Sequence, residues 1–296
     1  MSVQINNQYV DERYSPILEP NLYYGSVFVP GVTCTDKYIL DSSGNIYIHK
    51  LKTSAVEVGK PGRDFNDVET SDDLLQIQFN NNFQKSRKIY GIQASEVGID
   101  LANENLGAAI AECSEGWQLS AAACLVQEST ASTVTTAITL DELKADLIAR
   151  RGEIVKKKGS ADIILCSPDY YGKVLEYAGK DFSPSTNDKI VQSGNVGVWL
   201  GFTFVEFNGL AATEAKYYDS SNTLKTVKFA GATNPISYVM YNHNALSAIT
   251  NFVTARLRDS ENFVGTKAQV EMNAGFKFTN PALGVVRAEA AVTPTT

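Results

Sequence analysis

The chain is nearly without histidine: His49 and His243 are the only two among 296 residues. Both fall in stretches that read as strand, and neither stands at metal-ligand spacing from another donor. Cysteine is sparse. Cys34, Cys113, Cys124 and Cys166 form no C-x-x-C pair, and they read as small buried hydrophobes of a reducing compartment. No apolar run approaches the roughly 18 residues of a membrane span. The opening MSVQINNQYVDERY is polar, so no signal peptide is expected and folding in a cytoplasm is. Basic excess is missing too. The formal net charge is −7, which argues against a dedicated nucleic-acid binder but not against a container whose wall must not grip its contents. Internal repeats and low-complexity segments are absent. So are the G-x-S-x-G, G-x-x-x-x-G-K-[ST], G-x-G-x-x-G and H-E-x-x-H patterns. No catalytic, cofactor-binding or metal-ligating residue is nominated, and no cofactor is implied.

What is present is ordinary globular composition, 44% hydrophobic and 20% charged, enough to bury a sizeable core. The length suggests about two domains, or one large one. The most telling stretch is Ser95–Glu128. Leu106, Ile110, Cys113, Trp117, Ala121 and Cys124 recur at helical spacing along one stripe. Ser95 can cap it, and Glu96, Asp100 and Glu104 suit the positive end of the dipole. A helix over the whole stretch runs for roughly 50 Å. Its Ala, Gly and Ser residues would let a neighbouring backbone approach closely. The stripe is centred on Ile110, Cys113 and Trp117.

Taken in order, residues 1–35 mix Pro16, Pro20 and Pro30 with Tyr9, Tyr14, Tyr23, Tyr24 and Phe28. Proline disfavours helix, and polar disordered tails are poor in aromatics. An arm that docks is expected, on its own domain or on a neighbouring subunit. Residues 36–91 read as a long two-stranded ribbon. Ile46, Ile48, Val56 and Val58 lie on one side of Gly59-Lys60-Pro61-Gly62, and Leu75, Ile77 and Phe79 alternate on the other. Such a ribbon is marginal alone and needs a surface to lie on. After the long helix, Ser129–Thr136 reads as a Ser/Thr-rich connector. Thr139 and Glu142 form a capping box for a second helix, with Leu140, Leu143, Leu147, Ile148, Ile154 and Val155 as its apolar face and Gly159 past its end. ADIILC (161–166) is a buried strand, and Pro168-Asp169 opens a third helix. Two β segments flank Gly201. Residues 211–235 are loop-rich, with a strand near Thr226–Ala230. Ile236, Tyr238 and Met240 alternate. Residues 244–252 fit helical turn or strand, Phe252–Leu257 alternates, and Val270, Met272, Phe276 and Phe278 supply a pair of short strands.

Three clusters invite chemistry. Cys166-Ser167-Pro168-Asp169 follows a strand and opens a helix, where thiols can be activated, yet Pro168 removes an amide and no histidine is near. A core thiol with a cap at Ser167 is the plainer reading. Lys144, Arg150, Arg151, Lys156, Lys157 and Lys158 are interleaved with Asp141, Glu142, Asp146 and Glu153, the pattern of a solvated helix face, although a polyanion contact is compatible. Asp64, Asp67, Glu69, Asp72 and Asp73 could hold a hard cation, but their spacing is not that of a calcium loop, which leaves a solvated acidic loop.

The order of arm, long ribbon, long helix, α/β domain and returning strands resembles the tailed-phage major capsid proteins. The stretch that carries most of the likeness is ADIILCSPDYYGKVLEYAG followed by GNVGVWLGFTFVEFNGL, joined by ISYVMYNHNALSAI, TARLRDSEN and VEMNAGFKFTNPALGVVRAE. The resemblance implies an α+β chain of the Hong Kong 97 type. Residues 1–35 would be an N-terminal arm and 36–91 an extended loop lying over an adjacent subunit. Residues 92–136 with 241–296 would form a peripheral domain built on the long spine helix, whose stripe would pack on the returning C-terminal strands with Trp117 as a core anchor, and 137–240 an axial domain. It implies a structural, non-enzymatic protein that self-assembles into pentamers and hexamers of an icosahedral head around double-stranded DNA, contacted non-specifically. Partners would be other copies of itself, a separate scaffolding protein, a portal and decoration proteins, with no membrane. The location would be the virion, assembled in a host cytoplasm. Some members of that family cross-link a loop lysine to an asparagine; Lys60 lies at a plausible loop tip, but no partner for it is assigned. An encapsulin-type compartment with the same fold, and an α/β hydrolase using Cys166, are the competing readings.

Overall fold

The computed structural model describes residues 27–40, 46–51, 72–91, 101–134, 138–181, 197–230 and 235–289. The long helix is there as α1, Leu101–Glu128; Ser95, Glu96 and Asp100 lie outside the described residues. At 28 residues it runs about 42 Å. It lies on a three-stranded antiparallel sheet of order β12-β13-β4, made of β12 (Leu246–Asp259), β13 (Gly265–Phe278) and β4 (Asn81–Tyr90). The expected packing on C-terminal strands is therefore present. The face is rotated from the expected stripe. Leu101 packs with Ile89 and Ala268, and Ala109 and Cys113 with Val270, while Ile110 is 40% exposed. The second half has no stripe at all. Gln118 and every residue from Ser120 to Leu125 are buried, because this half is enclosed on several sides rather than laid on one surface.

The enclosure comes from a second sheet of order β5-β14-β11-β6-β8-β7. Its strands are β5 (Thr130–Val134), β14 (Gly284–Glu289), β11 (Ile236–Tyr241), β6 (Ile163–Cys166), β8 (Phe202–Glu206) and β7 (Val198–Trp199). Strand alternation sorts its two faces. Ile163, Leu165, Val239 and Tyr241 join the core around Ala121–Leu125. Ile164, Cys166, Tyr238 and Met240 face α2 (Leu143–Lys156) and α3 (Pro168–Asp181) through Leu143, Leu147, Ile154, Tyr170 and Val174. β6 and β8 are parallel, joined across α3 as a crossover requires. The Ser/Thr-rich segment is not a bare connector: as β5 it is an edge strand parallel to β14. Its β-branched, polar side chains suit an edge.

Other departures are local. Ile148 and Val155, placed on the apolar face of α2, are each 54% exposed. The capping box is half formed: Thr139 donates to Glu142 Oε2 from its amide (3.4 Å) and its hydroxyl (2.9 Å). At the far end Lys158 takes the left-handed turn (φ 61°). Gly159 is needed for space, since a Cβ there would meet Leu283 at 2.6 Å. The loop-rich region holds a hairpin, β9 (Glu214–Tyr218) with β10 (Leu224–Lys228). The C-terminal strands are longer than read, 14 residues each in β12 and β13. Gly275 does not break β13; a Cβ there would lie 2.7 Å from the Gln78 carbonyl oxygen, so it marks a close backbone approach.

The ribbon is three-stranded at its base, β1 (Ile39–Leu40), β2 (Ile46–Leu51) and β3 (Asp72–Ile77) in that order. Ile46 and Ile77 pack on Ile249 of β12, the surface such a ribbon needs. Val56, Val58 and Lys60 lie outside the described residues. Asn81–Tyr90, at the end of the ribbon stretch, pairs with β13 along its whole length. Of the arm, Val27–Asp36 docks on its own chain. The Val27 amide donates to Gln118 Oε1 at 2.7 Å, and the Phe28 ring meets Trp117 edge-on at 6.5 Å and Phe207 at 5.8 Å. Residues 1–26 lie outside the described residues.

Buried charge ties the layers together. Arg287 of β14 is 2% exposed, and its Nε lies 2.9 Å from Asp146 Oδ2 on α2. Tyr238 of β11 donates to that same oxygen at 2.7 Å. Arg150 pairs with Asp146 at 3.4 Å and reaches Glu153 and Ser132 of β5. On α1, Glu112 pairs with Lys85 at 3.0 Å and with Arg87 of β4. Partial burial pushes the Glu112 carboxyl up, but the two cations outweigh it and hold it below its ordinary value. Glu128 shows the opposite balance. Burial holds its carboxyl above the ordinary range, although it accepts from the Phe278 amide at 3.0 Å and pairs with Lys277 at 3.5 Å.

Four outcomes follow from these contacts. Trp117→Ala removes the ring between Phe28 and Phe276 and should cost about 3 kcal/mol or more in denaturant unfolding. Asp146→Ala should cost about 3–5 kcal/mol by stranding a buried guanidinium, and the double variant Asp146→Leu with Arg287→Met should recover most of it. A lowered folded pKa contributes stability above the ordinary glutamate value and loses it as pH falls through the folded value. Glu112→Gln should therefore cost about 1 kcal/mol at neutral pH and flatten the acid limb of a stability–pH curve. Glu128 has the reverse sign, so Glu128→Gln should remove a loss of stability that sets in as pH rises above the ordinary glutamate value.

Candidate functional site

The thiols are the first test for a reaction centre. Cys166 ends β6 fully buried, and burial pushes its thiol well above the ordinary value. That is the reverse of an activated nucleophile. Ser167 caps α3 instead, its Oγ accepting from the Tyr170 amide at 3.4 Å. Cys34, buried in the docked arm, is pushed up to about 12, and burial likewise raises Cys113 and Cys124. All four are free and inert by position, as their sparse spacing suggests.

His243 lies not in a strand but in a single 3-10 turn, His243–Ala245. Asp162 fixes it: Oδ1 accepts from the His243 amide at 2.9 Å, and Oδ2 pairs with the ring Nδ1. The pair anchors the turn that leads into β12. His49 sits on β2. Among the described residues no group of three or more His, Cys, Asp and Glu side chains could hold a metal ion. Asp64, Asp67 and Glu69 lie outside them. No helix among them is long and apolar enough to cross a membrane.

The basic cluster of α2 is divided by the fold. Arg150 is drawn down into the Asp146 network, while Arg151, Lys156, Lys157 and Lys158 stay exposed. Lys157 donates to Thr130 Oγ1 at 3.2 Å. One helix thus carries both a buried strut and a solvated face. The strut itself is invisible in the chain: Asp146 and Arg287 stand 141 positions apart, and no local pattern links them.

Several surfaces of the described residues stand out. The ribbon base leans on β12 through Ile46, Ile77 and Ile249. The β12–β13 hairpin ends in a tip where Val264 is 88% exposed. Away from the ribbon base, the helix-free face of the β12-β13-β4 sheet carries a shallow depression of about 520 Å³ lined by Gln84, Lys85, Ser86, Thr254, Arg256, Gln269, Val270 and Glu271.

Comparison with known proteins separates sequence from fold. No protein-family model matches the chain, and no curated protein matches it in sequence. Solved structures match along nearly its whole length. The "capsid structure of the Cyanophage P-SCSP1u" superposes with a TM-score of 0.71 at 12% identity, covering 97% of this chain and 94% of that one. The "bacteriophage PhiM1 mature capsid" gives 0.63 at 13% identity, covering 96% and 94%. The "capsid of Ralstonia phage GP4" gives 0.63 at 8% identity, covering 100% and 99%. With nearly the whole of both chains covered in each comparison, the chain has the tailed-phage major capsid protein fold.

Proposed function

We propose that this chain is the major capsid protein of a tailed phage, and that its copies assemble as pentamers and hexamers into an icosahedral head enclosing double-stranded DNA. The observation that carries this reading is full-length agreement with phage capsid subunits, 94–99% of their own chains. A likeness confined to one domain would speak only for a shared module; here the match runs over 96–100% of this chain. The role is structural rather than enzymatic, consistent with four inert thiols and with a fold whose matches are capsids. The virion is its proposed location, with assembly in the host cytoplasm.

Within this reading, 1–35 is the arm and 36–91 the extended loop. Residues 92–136 with 241–296 make the peripheral domain, and 137–240 the axial domain. Strand pairing crosses these bounds: β4 pairs with β13, and β5 and β14 lie in the sheet of β11, β6 and β8. A separate scaffolding protein, a portal, decoration proteins and packaged DNA, touched without sequence preference, are the proposed partners. The net charge of −7 suits a wall that must not hold its DNA tightly. The encapsulin and hydrolase readings have no observation here that favours them.

Purified chain, alone and with a scaffolding protein from the same phage, should give shells, rings or capsomers in electron micrographs. A monomer that persists at high concentration under both conditions would overturn the proposal.

A further inference from the structure

Three described crossings carry the chain between its two layers. α1 passes through Ser129 into β5, β11 passes through residues 242–245 into β12, and β13 passes through residues 279–283 into β14. Hydrogen bonds bundle them side by side. The Thr279 amide donates to the Ala245 carbonyl at 2.8 Å, and the Asn242 amide to the Leu283 carbonyl at 3.1 Å. The Thr130 hydroxyl donates to the Pro281 carbonyl at 2.9 Å. Glu128 stands where the first and third crossings begin. It is the last residue of α1, and its Oε2 takes the amide of Phe278, the last residue of β13, at 3.0 Å.

This is a poor place for a carboxylate. The C-terminus of a helix is the negative pole of its aligned peptide dipoles. The Glu128 side chain is only 17% exposed, so water does little to solvate a charge there. Charged and titratable groups face it from each element packed around it: Lys277 from β13 at 3.5 Å, Cys124 from the preceding turn of α1, Tyr217 from β9 and Asp219 from the β9–β10 turn. The cation among them is Lys277. Burial pushes Cys124 and Tyr217 up, so both stay neutral. Asp219 stays charged, because the Thr223 and Ser221 amides donate to it at 2.9 Å and Lys225 pairs with it at 3.5 Å. Burial, dipole and Asp219 together outweigh Lys277 and the Phe278 amide, and the Glu128 carboxyl lies above its ordinary value.

We propose that Glu128 is a proton-controlled tie across this junction: as a neutral acid it holds the end of α1 to the end of β13, and once ionised it draws water in and lets the two crossings part. The sign follows from linkage. A raised folded value contributes stability below the ordinary glutamate value and loses it as pH rises to the folded one. The junction is therefore tight in acid and loosens toward neutral pH. The tie sets how freely the helix-on-sheet layer can shift against the β5-β14-β11-β6-β8-β7 sheet, and it belongs to the single chain whether or not that chain builds a head.

Hydrogen–deuterium exchange of the purified chain, corrected at each pH for intrinsic exchange, tests this. Between about pH 4 and about pH 8, peptides covering 124–130 and 274–283 should lose protection about tenfold, while those covering β6 and β11 keep theirs. Glu128→Gln, neutral at every pH, should retain the protection of the acid state throughout. Lys277→Met withdraws the cation that favours the carboxylate, so the loss should grow. Asp219→Asn withdraws a like charge, so the loss should shrink. These two variants carry the test if Glu128→Gln fails to fold. Protection that does not change with pH in the wild-type chain would overturn the proposal. So would an unchanged loss in Glu128→Gln, or a loss that Lys277→Met and Asp219→Asn move in the same direction. An equal loss in β6 and β11 would assign the effect to the stability of the whole chain and would overturn it too.

Discussion

The structure depends on how closely two sheets can approach the second half of α1. Ala121, Ala122, Ala123 and Cys124 are wholly buried, and nothing larger would leave room for Phe207, Phe229, Tyr241 and Phe276 in the same core. Close packing tolerates few voids and little excess volume, so small helix residues and large sheet residues form one fitted set. The remaining geometry follows. The first half of α1, released from the second sheet, lies on β13 and β4 alone. Its outer side, Ile110 included, turns to solvent.

Polar groups inside this frame act as couplers. Gln118 takes the arm's Val27 amide, Ser120 donates to the Lys216 carbonyl of the β9–β10 hairpin at 2.8 Å, and Glu128 takes the Phe278 amide. Three buried or half-buried polar residues of one helix thus fix three separate elements. The Asn81 amide does the same for the ribbon's exit, donating to the Tyr218 carbonyl at 3.1 Å and accepting from the Tyr218 amide at 2.8 Å, in imitation of a strand pair. Each satisfied group is worth little net, but each would be costly left alone, so the couplers specify position more than they add stability.

Much of this was legible in the chain. Helical spacing located α1, the run ADIILC located β6, and the alternation at Ile77 located the ribbon base, because each signal is local. Failures came where tertiary context overrode it. Ile110 fits the stripe by spacing, yet the helix is rolled so that Ala109 and Cys113 face the sheet. Thr130–Val134 looks like a linker because its partner strand lies about 150 positions later. Asp146 looks like one charge in a solvated series until Arg287 closes on it. The surfaces were the least legible part. Lys88, Lys267 and Arg258 come into one cross-strand row only once two registers are set, and each of those residues alone reads as an ordinary strand cation.

The position of β14 governs how the molecule can come into being. It lies between β5 and β11, the first of which is made about 150 residues earlier. Until Gly284–Glu289 has been synthesised, β5 has no neighbour and the sheet carrying α2 and α3 has an open edge. Pairing across such separations is slow because a long loop must close first. The growing chain therefore passes through a stage in which strand edges and the apolar side of α1 are uncovered, a stage prone to mispairing between chains. Anything that shelters that unfinished sheet during translation would lower the risk, and the final strand serves as the latch that ends the exposure.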